Sequence, residues 1–369
     1  MGVGTIFGNP RLVVWCLVVA LAFPVFGQAP PAAPPGKKTP FAPPKAGAPP
    51  VRTPVPPQKT PVSPPKTPAA PPKTPAAPTT KTTAPAAGKA KPAGPKVPDP
   101  EDVSLTTKDG LNIKATYYAG IGKKDAVPFI LVHGFEGQRG DFHGLALYLQ
   151  SLGHAAIAPD LRGHGQSKTQ RGGGGAVALD PDKMTRAALE DMVWDIEACK
   201  KFLLEKNNAA ELNIEQLCVV GAEFGAILAT HWAAMDWSQQ DLPAYKMGKD
   251  VKALVLLSPP SSLKGITIQK AMANPAVKSQ LSVLLVAGSD DSKASGEVKK
   301  LHSSFQAGHA KNHDDKAIYL VQPETPLSGT KLLATGLDVK EMIASFVDKR
   351  LVERKSEFAW QNRTSPVGN

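Results

Sequence analysis

The sequence is poor in cysteine: three in 369 residues, too few for a disulfide framework. Cys16 lies in an N-terminal apolar run, where the preceding Trp15 makes it a poor lipid-attachment site. Removal of that run would leave Cys199 and Cys218, one expected on a helix and one in a buried strand, as two buried thiols or a single bridge. Nor do Cys and His cluster in the spacing of a zinc site. Long apolar runs are scarce too. Leu12 to Phe26, behind Arg11, is short for a membrane span. With Gly27 and Gln28 following, it reads as a secretory signal over 1–27, with Val25 and Gly27 as the small residues before cleavage; an uncleaved anchor is the alternative.

Acidic residues are missing altogether from Gln28 to Pro98, which carries Arg52 and ten lysines. Together with Arg11 these make up twelve of the 43 basic residues, leaving 31 against 32 acidic ones from Asp99 onward. The strongly basic overall charge therefore belongs to the N-terminal segment and not to the remainder. Rich in Pro, Ala, Lys and Thr, with PPKTPAA repeated at Pro64 to Ala70 and Pro71 to Ala77, residues 28–100 cannot bury enough apolar surface to fold. They read as an extended, disordered linker able to touch anionic envelope polymers or lipid surfaces. Apart from Phe41 the segment lacks interleaved aromatics, so it offers no support for nucleic-acid binding.

Residues 101–352 are long enough for one α/β domain, and 353–369 are expected to be a flexible C-terminal tail. Val103 to Thr107 and Leu111 to Tyr118 read as strands joined at Asp109-Gly110. Apolar runs at Pro128 to Val132, Ala155 to Ala158, Gln216 to Val220, Val251 to Leu257, Ser282 to Ala287 and Ala317 to Val321 read as buried parallel strands. Helical stretches fall between them: Phe142 to Leu152, Thr185 to Lys206, Phe224 to Met235, part of Ser292 to Gln306, and Val339 to Leu351.

Three motifs sit at successive strand ends: Val132-His133-Gly134-Phe135, Asp160-Leu161-Arg162-Gly163-His164-Gly165-Gln166-Ser167, and Gly221-Ala222-Glu223-Phe224-Gly225. Their order resembles the α/β-hydrolase superfamily from Val103 to Leu351, most closely its lidless esterase-like or serine-aminopeptidase-like members. The resemblance implies an α/β-hydrolase fold: a mostly parallel eight-stranded sheet with helices on both faces. With about twenty residues between Ser258-Pro259-Pro260 and the next strand, no large lid is expected.

The resemblance also implies a set of catalytic positions. The elbow Gly-x-Ser-x-Gly aims its central side chain into the pocket, and here that side chain is Glu223. The acid position after the seventh strand falls in Gly288-Ser289-Asp290-Asp291, with Asp291 favoured by spacing and Asp290 second; a turn or helix cap is the plain alternative. Phe135 and Phe224 would lend backbone N–H groups to the oxyanion hole, next to His133 and Gly134. The base should lie between Gln322 and Lys331, a loop without histidine. His302, His309 and His313 precede the eighth strand, on the wrong side of the sheet; His133 and His164 belong to loop motifs, and His231 lies inside a helix.

Two of three triad positions have thus lost their chemistry. The expected protein is a non-catalytic pseudo-hydrolase, secreted or periplasmic, that binds a small-molecule or envelope ligand. The alternative is an ester or peptide hydrolase using Glu223 as general base. Gly172 to Gly175 lacks a following G-K-[ST], so it reads as a flexible loop beside the pocket and no phosphate cradle and no cofactor are expected. Glu223 with Asp290 or Asp291 supplies too few oxygens to call a metal site.

Overall fold

A computed structural model describes residues 96–172, 175–241, 245–310 and 315–364. The expected signal and nearly all of the linker lie outside the described residues. No described helix is long and apolar enough to cross a membrane.

In chain order, β1 (Glu101–Thr106) and β2 (Asn112–Tyr118) form a hairpin, followed by β3 (Pro128–Val132), α1 (His143–Ser151) and β4 (Ala155–Pro159). A small hairpin, β5 (Thr169–Gly172) and β6 (Gly175–Ala178), precedes α2 (Arg186–Glu190) and α3 (Val193–Asn208). Next come β7 (Leu217–Ala222), α4 (Phe224–Trp237) and β8 (Val251–Leu257). An insertion then holds a second small hairpin, β9 (Ser262–Leu263) and β10 (Ile266–Thr267), with α5 (Ile268–Met272) and α6 (Pro275–Ser279). The chain closes with β11 (Ser282–Val286), α7 (Ser292–His309), β12 (Ile318–Val321) and α8 (Val339–Val347).

Eight strands form one sheet in the order β1-β2-β4-β3-β7-β8-β11-β12. β2 pairs antiparallel with β1 and β4, and every pairing from β4 through β12 is parallel. The central strands are apolar throughout because both faces are covered. Ile130, Val219 and Leu254 face a core shared with Ile196, Trp232 and Phe305; the alternating residues Phe129, Val220 and Val255 face Leu145, Leu149 and Phe346. Cys199 and Cys218 are both buried free thiols.

The sequence reading is corrected in three places. The helix expected over Thr185 to Lys206 is two, broken after Glu190. The break lets Asp195, in the first turn of α3, accept from the Arg162 backbone N–H (2.8 Å) and guanidinium (2.7 Å). A core-facing carboxylate at that site leaves the apolar spacing intact, so periodicity alone does not reveal the turn. The glycine-rich stretch contributes to the β5–β6 hairpin, although residues 173–174 lie outside the described residues. Lastly, 353–364 is no flexible tail. Asn213 Nδ2 donates to the Phe358 carbonyl, Asn207 Nδ2 to that of Gln361 (both 2.9 Å), and Arg363 is buried between Glu215 and Asp250. Two buried carboxylates need counter-charge, and this segment adds Arg363 to that of Lys200 and Lys246.

Candidate functional site

Parallel strands deliver their C-terminal ends to one edge, and β3, β7, β8, β11 and β12 bring the expected motifs together there. Between β7 and α4, Glu223 sits at φ 50° and ψ −114°, a conformation that L-residues adopt only under constraint. Its N–H donates to the Leu257 carbonyl at 2.8 Å. Gly225 is required because a Cβ there would lie 2.2 Å from the Val132 carbonyl oxygen. The turn packs directly on the end of β3.

The side chain so presented is a solvent-exposed carboxylate. Glu223 Oε1 accepts from Ser328 Oγ at 3.3 Å, and no Lys, Arg or His among the described residues is ion-paired with it. Ser328 and Gly329 belong to the loop after β12, where the base was sought. That loop meets Glu223 through a small hydroxyl and bare backbone. Gly329 stands at φ 58° and donates its N–H to Ser258 Oγ at 3.0 Å.

The other expected residues fall around this centre. Asp291 caps α7, its Oδ1 accepting from the Ala294 N–H at 3.0 Å, and Asp290 accepts from Ser289 Oγ at 2.9 Å. Neither hydrogen-bonds to a histidine among the described residues. The Phe135 and Phe224 amides have no acceptor among the described residues, and their rings meet edge-to-face at 5.6 Å. Gly134 lies so close to Glu223 that a Cβ on it would be 2.7 Å from Oε2.

The histidines have structural work. His133 Nε2 accepts from the Leu161 N–H at 3.0 Å, so the proton sits on Nδ1, which donates to the Gly134 carbonyl at 2.7 Å. Burial pulls its pKa down to about 4 against the opposing pull of that carbonyl. His164 bridges the Arg162 and Phe135 carbonyls, and His231 Nε2 contacts the Thr267 carbonyl at 2.8 Å. His302 and His309 lie on α7 as it runs away from the elbow edge, while His313 lies outside the described residues.

A cavity of about 500 Å³ opens over the elbow, lined by Phe135, Glu223, Phe224, Leu263, Lys264 and Asp291 among others. A second, of about 300 Å³, lies against Gly134, Thr330 and Lys331, and Glu223, Glu136 and Ser328 belong to both. A larger cleft of about 720 Å³ adjoins through Phe135, Glu136 and Asp182 but does not reach Glu223, so the smaller pair is the candidate site. Sequence reasoning missed Ser328 and Gly329, and also the Lys264–Asp182 ion pair (3.0 Å) at the mouth. Lys264-Gly265, both at positive φ, is the two-residue turn of the β9–β10 hairpin, a signal available in the sequence. Among the described residues, no three His, Cys, Asp or Glu side chains gather as a metal site.

The elbow between β7 and α4, within this strand order, settles the fold. The chain is an α/β-hydrolase-fold protein. Residues 127–281 match the family described as alpha/beta hydrolase fold. A 64-residue stretch is 38% identical to a non-heme chloroperoxidase of Streptomyces lividans, covering 17% of this chain and 22% of that protein. Over 116 residues it is 30% identical to epoxide hydrolase 3 of Siraitia grosvenorii, 31% of this chain and 30% of that protein. The chain thus spans less than a third of the length of these curated relatives. A dienelactone hydrolase from Anabaena variabilis superposes with a TM-score of 0.50 at 15% identity, over 69% of this chain and 100% of that one, a likeness of fold alone.

Proposed function

We propose that this α/β-hydrolase-fold protein is a pseudo-hydrolase that binds a small-molecule or envelope ligand in the elbow cleft without turning it over. The observation that carries this reading is the fit of Glu223 between Gly134 and Gly329. Acyl transfer develops negative charge at the oxyanion hole. A carboxylate beside the Gly134 loop opposes that charge, since like charges about 4 Å apart repel by about 4 kcal/mol even at an effective dielectric near 20. The loop that should carry the base supplies a hydroxyl and a glycine instead. The Leu12 to Phe26 run supports export to the periplasm or cell envelope, or an uncleaved anchor, and the basic linker supports electrostatic contact with anionic envelope polymers.

A second reading, an ester or peptide hydrolase with Glu223 as general base, is favoured by one observation: the carboxylate opens to the cavity without an ion pair. Hydrolysis of short-chain p-nitrophenyl esters by the parent, Glu223→Ala and Glu223→Ser decides between them. Equal inertness of parent and Glu223→Ala is expected. Turnover by the parent that vanishes in Glu223→Ala overturns the pseudo-hydrolase in favour of the second reading.

A further inference from the structure

We infer that the elbow cleft receives an organic ammonium ion, a protonated amine on a short apolar chain, with Glu223 as its carboxylate partner. This deepens the reading of the cleft as a binding site and rests on it. Glu223 is aimed by the elbow into the place where two cavities meet. A carboxylate offers about four lone-pair sites, and among the described residues only the 3.3 Å bond from Ser328 is made to its oxygens.

The protein already holds one ammonium in this cleft in the same kind of setting. Lys264 Nζ lies 4.9 Å from the centre of the Phe135 ring and 3.0 Å from Asp182 Oδ1, a carboxylate and an aromatic face acting on one cation. Glu223 lines the same cavity with Phe135 and Phe224 and has no such ion among the described residues. Across the two cavities six carboxylates stand against three lysines, Lys264, Lys293 and Lys331. Lys264 is committed to Asp182, and Lys293 and Lys331 are both exposed and not ion-paired with Glu223. A cation therefore enters with the local field and an anion against it. Pro260 and Leu263 join Phe135 to form an apolar wall for a short hydrocarbon.

The test is an NMR titration of the full chain and its Glu223→Gln variant with n-butylammonium, n-butanol and butyrate, following backbone amides of the elbow and the β9–β10 hairpin. Glutamine keeps the size and removes the charge, so an unchanged spectrum elsewhere reports an intact fold. Saturable shifts by n-butylammonium, at least ten-fold weaker in Glu223→Gln, with butyrate not binding, are expected. Ammonium binding that changes less than two-fold in Glu223→Gln, or butyrate binding as tightly as the amine, overturns the inference. Equal binding of n-butanol and n-butylammonium overturns it too, yet leaves the cleft a binding site for uncharged ligands. If none of the three probes shifts the elbow, the ammonium assignment fails, while the loss of catalysis is judged separately by the ester assay.

Discussion

The Glu223 carboxylate fills the space that a side chain on Gly329 would need: a Cβ there would lie 2.7 Å from Oε1 and 2.8 Å from Cδ. Elbow and loop are therefore matched to each other: the Glu223 side chain takes the space that only a glycine at 329 leaves open. Gly329→Ala should cost about 2 kcal/mol or more, combining the strain of an L-residue at φ 58° with the collision. In a Glu223→Ala background the collision is gone and the strain remains. A double-mutant cycle by urea unfolding should return a coupling of about 1 kcal/mol; full additivity would show that the two residues do not press on one another.

Stability should fall as the solution is acidified from about pH 6.5 toward 4. His133 is held neutral, its pKa pulled from 6.5 to about 4 by burial. Between those values the unfolded chain binds a proton that the folded one refuses, so stability rises with pH there and the contribution is complete above about 6.5. With about 1.4 kcal/mol per pKa unit, the loss on acidification is roughly 2–4 kcal/mol. His154 and His231 shift the same way, also through burial, and steepen the slope. In His133→Gln, whose amide oxygen can still accept from Leu161, the unfolding free energy should vary less over this range. An unchanged slope would mean that the histidine is charged in the native protein.

Much of this site is legible in the sequence, because strand ends and glycine-framed turns are local signals. β3 and β8 were read to their end residues, and Glu223, Phe135, Phe224 and Asp291 do line one cavity. What escaped was contact between segments distant in the chain. Nothing local marks Gly329 as the partner of Glu223, or Lys264 as the partner of Asp182 some 80 residues earlier. The polar composition after Val352 suggests a loose end, yet Arg363 is needed by Glu215 and Asp250, which only the fold brings together.

Cys199 and Cys218 should resist thiol reagents in the native protein at pH 8. Both lie in dry surroundings with their pKa values pushed up by burial, so little thiolate forms. Mass mapping after treatment with iodoacetamide should find neither labelled in buffer and both labelled in urea. Rapid native labelling of Cys218, in the middle of the sheet, would contradict the strand register that buries it.

Arg363 should anchor the last described segment at a cost out of proportion to its place near the C-terminus. Its Nη1 donates to Glu215 Oε1 at 2.8 Å and to Asp250 Oδ1 at 2.7 Å, and its Nη2 to the Lys246 carbonyl at 2.5 Å. Burial by itself would raise the Asp250 carboxyl, but Lys200, Lys246 and Arg363 together hold it down to about 2. A depressed carboxylate stabilises the fold above its unfolded pKa near 4 and loses that contribution as pH falls through about 2. Arg363→Ala leaves two buried carboxylates, Glu215 and Asp250, with fewer partners, and breaking such a network from one side costs about 3 kcal/mol. Arg363→Lys keeps the charge but lacks the second nitrogen that donates to the Lys246 carbonyl, so it should fall between the two. Both losses should persist at high salt, because the pair is shielded from ions. Urea unfolding of the three proteins at neutral pH measures this directly; a loss below about 0.5 kcal/mol for Arg363→Ala would make the segment an ornament on the surface and return the domain boundary to Val352.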